Sequence, residues 1–197
     1  MSDLLLVRHG ETEWSASGRH TGRTDIPLTA AGEEQAASLA PCFRDLSTAL
    51  VLVSPLRRAV ATAELAGLTA AATDPDLCEW DYGGYEGVTT ADIHRTRPHW
   101  SLWTDGVPPG ADGRPGEDAS GVGARADRVL ARVAPVLADD RGPAVLVAHS
   151  HFLRVLTARY LGLPPQDGRL FLLRTATVSA LSTEHGLPVI AAWNTRP

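Results

Sequence analysis

Residues 4–12 read LLLVRHGET. The apolar run from Leu4 to Val7 lacks the alternation of a half-exposed strand, and it gives way at once to Arg8, His9 and Gly10. A short unalternating run is the pattern of a strand covered on both faces, as in a parallel sheet. The stretch predicts a strand over Asp3–Val7 whose carboxyl end delivers a cation and an imidazole together.

The pattern recurs twice. ALVLV (residues 49–53) stops at Ser54-Pro55-Leu56-Arg57-Arg58, and AVLVA (residues 144–148) runs straight into His149. Helical stretches separate these strands. Thr29 is a good N-cap for a helix to about Arg44, Leu56–Ala66 ends at Gly67, and Phe152–Leu161 is closed by Gly162 and Pro164. After Asp118, the residues Val122, Ala126, Val129, Val133 and Leu137 recur at helical spacing. Pro135 is expected to kink that helix, since it cannot donate to the Ala131 carbonyl.

Thr89–Thr96 predicts a short helix, and residues 11–27 and 78–88 read as loops. Pro98–Pro115, rich in Pro and Gly, is expected to be the most mobile excursion. LFLLR (170–174), TVSALST (177–183) and PVIAAW (188–193) predict two or three closing strands, with His185-Gly186 as a turn. Strands alternating with helices predict a single α/β domain over residues 1–197, a three-layer α/β/α sandwich on a mostly parallel sheet.

Composition removes several classes of function. A chain of 197 residues, 44% hydrophobic, suits one core, and a net charge of −5 argues against nucleic acid as partner. No apolar stretch approaches the roughly 18 residues that would span a membrane. MSDLLLVRH lacks the basic start of a signal peptide, and Cys42 and Cys78 form no CxxC pair, so reduced thiols in the cytoplasm are expected. All 18 basic residues are arginine. A phosphate-loop lysine, a Schiff-base lysine and a lysine base are therefore impossible.

Open α/β sheets bind ligands beyond the carboxyl ends of their strands. There this chain places Arg8 and His9, then Arg57 and Arg58, then His149. Singly, each is ordinary: a histidine after a strand is more often structural, and an arginine is usually solvated. Together they form a cationic crevice in which guanidinium forks fit phosphate oxygens and a neutral imidazole can attack phosphorus. Competing phosphatase chemistries fail on residue content. Asp74-Pro75-Asp76 resembles an aspartate-nucleophile motif whose chemistry needs a lysine, and the residues six beyond Cys42 and Cys78 are Thr48 and Gly84 instead of the arginine a cysteine phosphatase requires. His149 and His151 could be read as a metal pair, but no carboxylate stands nearby at ligand spacing.

Five ordered blocks carry a resemblance: RHGET (8–12), TGRTDIPLTAAGEEQA (21–36), SPLRRAVATAE (54–64), LCEWDYGGYEG (77–87) and VAHSHFLR (147–154). The chain resembles the histidine phosphatase superfamily, the phosphoglycerate-mutase-like or RHG family, and within it the phosphatases of sugar phosphates and other small metabolites. The resemblance implies a phosphoglycerate-mutase-like fold and hydrolysis through a phosphohistidine on His9. It implies that Arg8, Arg58 and His149 cradle the phosphoryl group, and that Glu79 protonates the leaving alkoxide and then activates water. Ser15, Thr21, Gly22 and Ser150 match further substrate-binding positions, with two departures: Ser15 stands where the family often has Asn, and Ser150 where it commonly has Gly. Gly10 is expected to let the backbone approach bound phosphate.

No cofactor and no metal are implied. The expected partner is a small phosphorylated substrate, with a homodimer as the expected assembly. Arg19 and His20 are candidates to face the substrate, Trp100 and Trp103 to cap the pocket, and the 98–115 loop to read the substrate's organic part. Two alternatives stand beside the phosphatase reading. One is a 2,3-bisphosphoglycerate-dependent phosphoglycerate mutase, which needs extra chain to shut out water; the other is a catalytically inactive binding relative, which would have lost His9 or Glu79.

Overall fold

The computed structural model describes residues 2–69 and 71–196. Its strands are β1 (Leu4–Arg8), β2 (Leu50–Val53), β3 (Ala72–Thr73), β4 (Ala144–Ala148), β5 (Val178–Glu184) and β6 (Leu187–Thr195), in the order β3-β2-β4-β1-β5-β6. The first four are mutually parallel, and β5 and β6 join as an antiparallel hairpin. His185 and Gly186 turn that hairpin with φ of 51° and 81°, the doubly left-handed geometry of a tight two-residue loop.

The helices are α1 (Glu13–Ser17), α2 (Ala30–Ala37), α3 (Ala40–Phe43), α4 (Arg57–Leu65), α5 (Thr90–His94), α6 (Leu102–Asp105), α7 (Ala119–Ala138) and α8 (Ser150–Tyr160). They cover both faces of the sheet, which explains the unalternating strands. Ala144, Leu146 and Ala148 pack with Leu4 and Leu6 against α7 and α8, while Val145 and Val147 pack with Val7, Val51 and Val53 against α4, Leu39 and Phe43. Every residue of β4 is buried, at roughly 1.5–3 kcal/mol for each fully covered large aliphatic side chain. The three-layer α/β/α sandwich on a mostly parallel sheet is the observed architecture.

Several expectations are corrected. The helix expected over 29–44 is two: Thr29 caps α2 through Gly32 N–H at 3.0 Å, and Pro41, which has no N–H to offer Ala37, starts the separate α3. Residues 11–27 contain α1, capped by Thr12, and β3 has no signature in the sequence because two residues carry no periodicity. LFLLR is no strand; Leu170 ends a 3₁₀ turn and the rest is irregular. The pairing side of β1 that faces away from β4 is already filled by β5.

Residues 98–115 are also tied down more than their composition suggested. They contain α6, Trp100 and Leu102 are buried, Trp100 Nε1 donates to Gly106 O at 2.8 Å, and Pro108 O accepts from Gly84 N at 2.8 Å.

Candidate active site

Strand register assembles the site. Arg8 is level with Ala148 and Val53 with Val147, so the residues that follow meet at one sheet edge. His9 N donates to Ala148 O and Ser54 N to Val147 O, both at 3.0 Å. The rings of His9 and His149 lie 5.1 Å apart.

His9 Nδ1 is 2.6 Å from Gly10 O. A carbonyl only accepts, so Nδ1 carries the ring proton and Nε2 keeps its lone pair. Burial, with Arg58 and Arg8 close by, holds the His9 pKa well below 6.5. The imidazole is neutral, and its Nε2 lone pair is free.

His149 is held in the opposite tautomer. Arg58 Nε donates to its Nδ1 at 3.2 Å, so Nε2 bears the proton and donates to Ser54 Oγ at 2.7 Å. Arg58 is wholly buried, and its Nη1 and Nη2 donate to Thr24 O at 3.0 Å and to Thr21 O and Gly22 O at 3.1 Å. Arg8 differs. Burial brings its pKa down to about 10, still protonated at neutral pH; Nη1 donates to Leu173 O at 2.5 Å, and the buried Nε has no partner. An unmet buried donor costs roughly 1–3 kcal/mol, more when charged, so this guanidinium is short of one acceptor.

Glu79 reaches the site from a different segment. Its Oε1 accepts from Trp80 N and Phe152 N at 2.9 Å and its Oε2 from His151 N at 3.1 Å. Helix α8 has no side-chain cap of its own at His149, and the Glu79 carboxylate fills that role from 70 residues upstream in sequence.

Among the sequence candidates, Arg8, His9, Ser15, Thr21, Glu79 and Ser150 line one cavity of about 200 Å³. Arg58, His149 and Gly22 lie outside that lining, and the Gly22 amide is held by Glu86 Oε1 at 2.7 Å. Ser15 Oγ is engaged in the α1 capping box, bonding Thr12 N at 2.9 Å and Thr12 O at 3.1 Å. Packing requires glycine at position 10: a Cβ there would stand 2.3 Å from Gly32 O, so α2 closes on the backbone beside His9.

The candidates Arg19 and His20 line it too, and so do Gly18, Tyr82, Thr90 and His151. Tyr82 sits in a block that marked the family, but nothing in its spacing showed that it would face the cavity. No residue of 98–115 lines it, contrary to expectation. Trp100 and Trp103 stack behind the wall instead, against His20 and His151 at 5.8 and 5.4 Å. Among the described residues no group of three or more His, Cys, Asp and Glu is placed to hold a metal, and His151 is bonded to Tyr82.

Three buried imidazoles make folding sensitive to acid. Burial lowers the pKa of His9, His149 and His151 well below 6.5. Below pH 6.5 the unfolded chain binds protons that the folded chain refuses, so stability falls as pH falls. Each contributes about 1.4 kcal/mol per pH unit until its folded-state pKa is reached. Urea unfolding at pH 7.5 and 5.5 is expected to show a lower midpoint at pH 5.5, partly restored by inorganic phosphate. An unchanged or higher midpoint contradicts the neutral assignment.

Comparison with known proteins agrees with this geometry. Residues 4–196 match the family model of the histidine phosphatase superfamily (branch 1). An acid phosphatase of Mycobacterium tuberculosis is 40% identical over 95% of this chain and 90% of its own length. A sedoheptulose 1,7-bisphosphatase of Saccharomyces cerevisiae is 33% identical over 82% of this chain and 68% of its own. A probable phosphoglycerate mutase of Yersinia enterocolitica is 32% identical over 98% and 90%. The solved structure of an open reading frame product of Mycobacterium tuberculosis superposes with a TM-score of 0.91 at 38% identity, covering 99% of this chain and 98% of that one.

Proposed function

The chain belongs to the histidine phosphatase superfamily, and on that premise we propose that it is a phosphomonoesterase of small phosphorylated metabolites. The observation that carries the reading is the free Nε2 of His9 in the cavity beside the unpartnered Nε of Arg8. In this reading the substrate phosphate supplies the acceptor that Arg8 lacks. His9 Nε2 attacks phosphorus, the P–O ester bond breaks, and Glu79 gives its proton to the leaving alkoxide. Water then attacks the phosphohistidine, the P–N bond breaks, and Glu79 takes the water's proton. Arg8, Arg58 and the ring of His149 stabilise the charge gathered on the phosphoryl oxygens.

The names of the similar proteins support hydrolysis of a small ester, and one of them supports a mutase. A mutase must exclude water while the phosphoryl group returns to another hydroxyl. Here residues 98–115 pack against the core and place nothing over the cavity, which favours water entry. Sugar phosphates are expected to release inorganic phosphate, and 3-phosphoglycerate with catalytic 2,3-bisphosphoglycerate to isomerise little. Rapid isomerisation without phosphate release overturns the phosphatase reading. Free thiols at Cys42 and Cys78 support work in the cytoplasm.

Because arginines supply the positive field, activity is expected to survive dialysis against EDTA within about two-fold. Loss on chelation, with recovery on adding a divalent cation, contradicts this assignment.

A further inference from the structure

Phosphoryl transfer leaves one wall of the cavity unused: His20, Tyr82 and His151. Tyr82 lies between the imidazoles, 4.8 Å from the His20 ring and 5.8 Å from the His151 ring. Trp80 and Trp103 pack on His151 at 6.3 and 5.4 Å, so the imidazole has little room to rotate. Its Nδ1 is 2.6 Å from Tyr82 Oη.

The proton positions follow from the partners. Tyr82 is 2% exposed, and burial pushes its phenol well above 10, so it keeps its proton. His151 Nδ1 is the acceptor the structure gives that O–H, so Tyr82 donates and the ring proton sits on Nε2. Among the described residues nothing else bonds the His151 ring. Burial, with Arg154, His20 and Arg8 nearby, keeps the ring uncharged. The wall therefore offers one oriented, neutral N–H donor next to the reacting end of the cavity.

A neutral donor suits a hydroxyl or ether oxygen, whereas a carboxylate is better met by a free guanidinium. Of the nearby guanidiniums, Arg154 is spent, stacking on Trp103 at 4.7 Å and donating to Gly168 O and Arg169 O at 3.0 and 3.2 Å, while Arg8 and Arg19 line the cavity and would meet a carboxylate in place of His151. A volume of about 200 Å³ suits a phosphate with a short body. We propose that His151, locked by Tyr82, is a specificity-determining residue that donates to an oxygen on the alcohol part of the ester, selecting polyol and sugar monophosphates over esters of apolar alcohols. The inference rests on the phosphomonoesterase reading for its substrate.

The test compares ribose 5-phosphate with butyl phosphate in the wild type and in His151→Phe, His151→Gln and Tyr82→Phe, with folding checked by circular dichroism. In His151→Phe the kcat/KM ratio of ribose 5-phosphate to butyl phosphate is expected to fall about ten-fold, carried by KM. His151→Gln, whose amide keeps a donor on that wall, is expected to recover part of it. Tyr82→Phe is expected to lower the ratio less, in the same direction, and it carries the reading if His151→Phe does not fold. An unchanged ratio in a folded His151→Phe, no recovery in His151→Gln, or a larger loss for phosphoserine than for ribose 5-phosphate overturns the proposal. The same ratio is read as Kd by calorimetry in a His9→Ala background. If the wild type hydrolyses no ester, the phosphomonoesterase reading falls, and the binding ratio still decides the role of His151.

Discussion

His9→Ala is expected to lower turnover by on the order of 10⁵-fold or more, because it removes the atom that forms the covalent bond to phosphorus. The two other imidazoles near it cannot substitute. His149 has its Nε2 proton directed at Ser54 and its Nδ1 covered by Arg58, and His151 has its Nδ1 bonded to Tyr82. The loss in stability is expected to be small, about 1 kcal/mol for the bond between Nδ1 and Gly10 O. Single-turnover mixing with acid quench, followed by mass spectrometry, is expected to find an acid-labile phosphate on His9 in the wild type and none in the variant. An adduct on serine or aspartate, or a variant retaining a tenth of its activity, removes His9 as the nucleophile.

Glu79→Gln is expected to lower kcat by about 10²–10⁴-fold on alkyl phosphates, the usual worth of one general acid–base group. The loss is expected to be smaller on p-nitrophenyl phosphate, whose leaving group needs no proton. Phosphohistidine is expected to accumulate, because the water that clears it has lost its base. The variant also carries a structural cost of about 1 kcal/mol, since the carboxamide meets the N–H groups of His151 and Phe152 with only one acceptor oxygen. Equal losses on both esters, with no trapped intermediate, would show that Glu79 only caps α8.

The amount legible in advance differs sharply between strands and loops. Each buried strand was readable from its own residues, because helices on both faces demand unbroken apolar runs such as Ala144–Ala148. The tail was less legible. LFLLR has the composition of a strand, yet Leu173 is buried irregularly, with its carbonyl taken by Arg8, because β5 already holds the place beside β1. Residues 98–115 misled for a similar reason. Pro and Gly mark a segment without periodicity, and composition alone does not register that Trp100 and Leu102 anchor it in the core.

The sequence by itself determined that a cationic, imidazole-bearing edge would exist, since Arg8-His9, Arg58 and His149 each follow the end of an apolar run, and the family blocks set their expected roles. Only the tertiary structure decided which ring nitrogen of His9 is free, that Arg8 Nε lacks an acceptor, and that Glu79 crosses to the N-terminus of α8. It also decided that Tyr82 and His151 share the cavity wall. The physical reason is the range of the forces involved. Burial of a strand is dictated by neighbours along the chain, whereas a tautomer, an unpaired donor or a borrowed cap depends on partners brought within about 3 Å by strand register and helix packing.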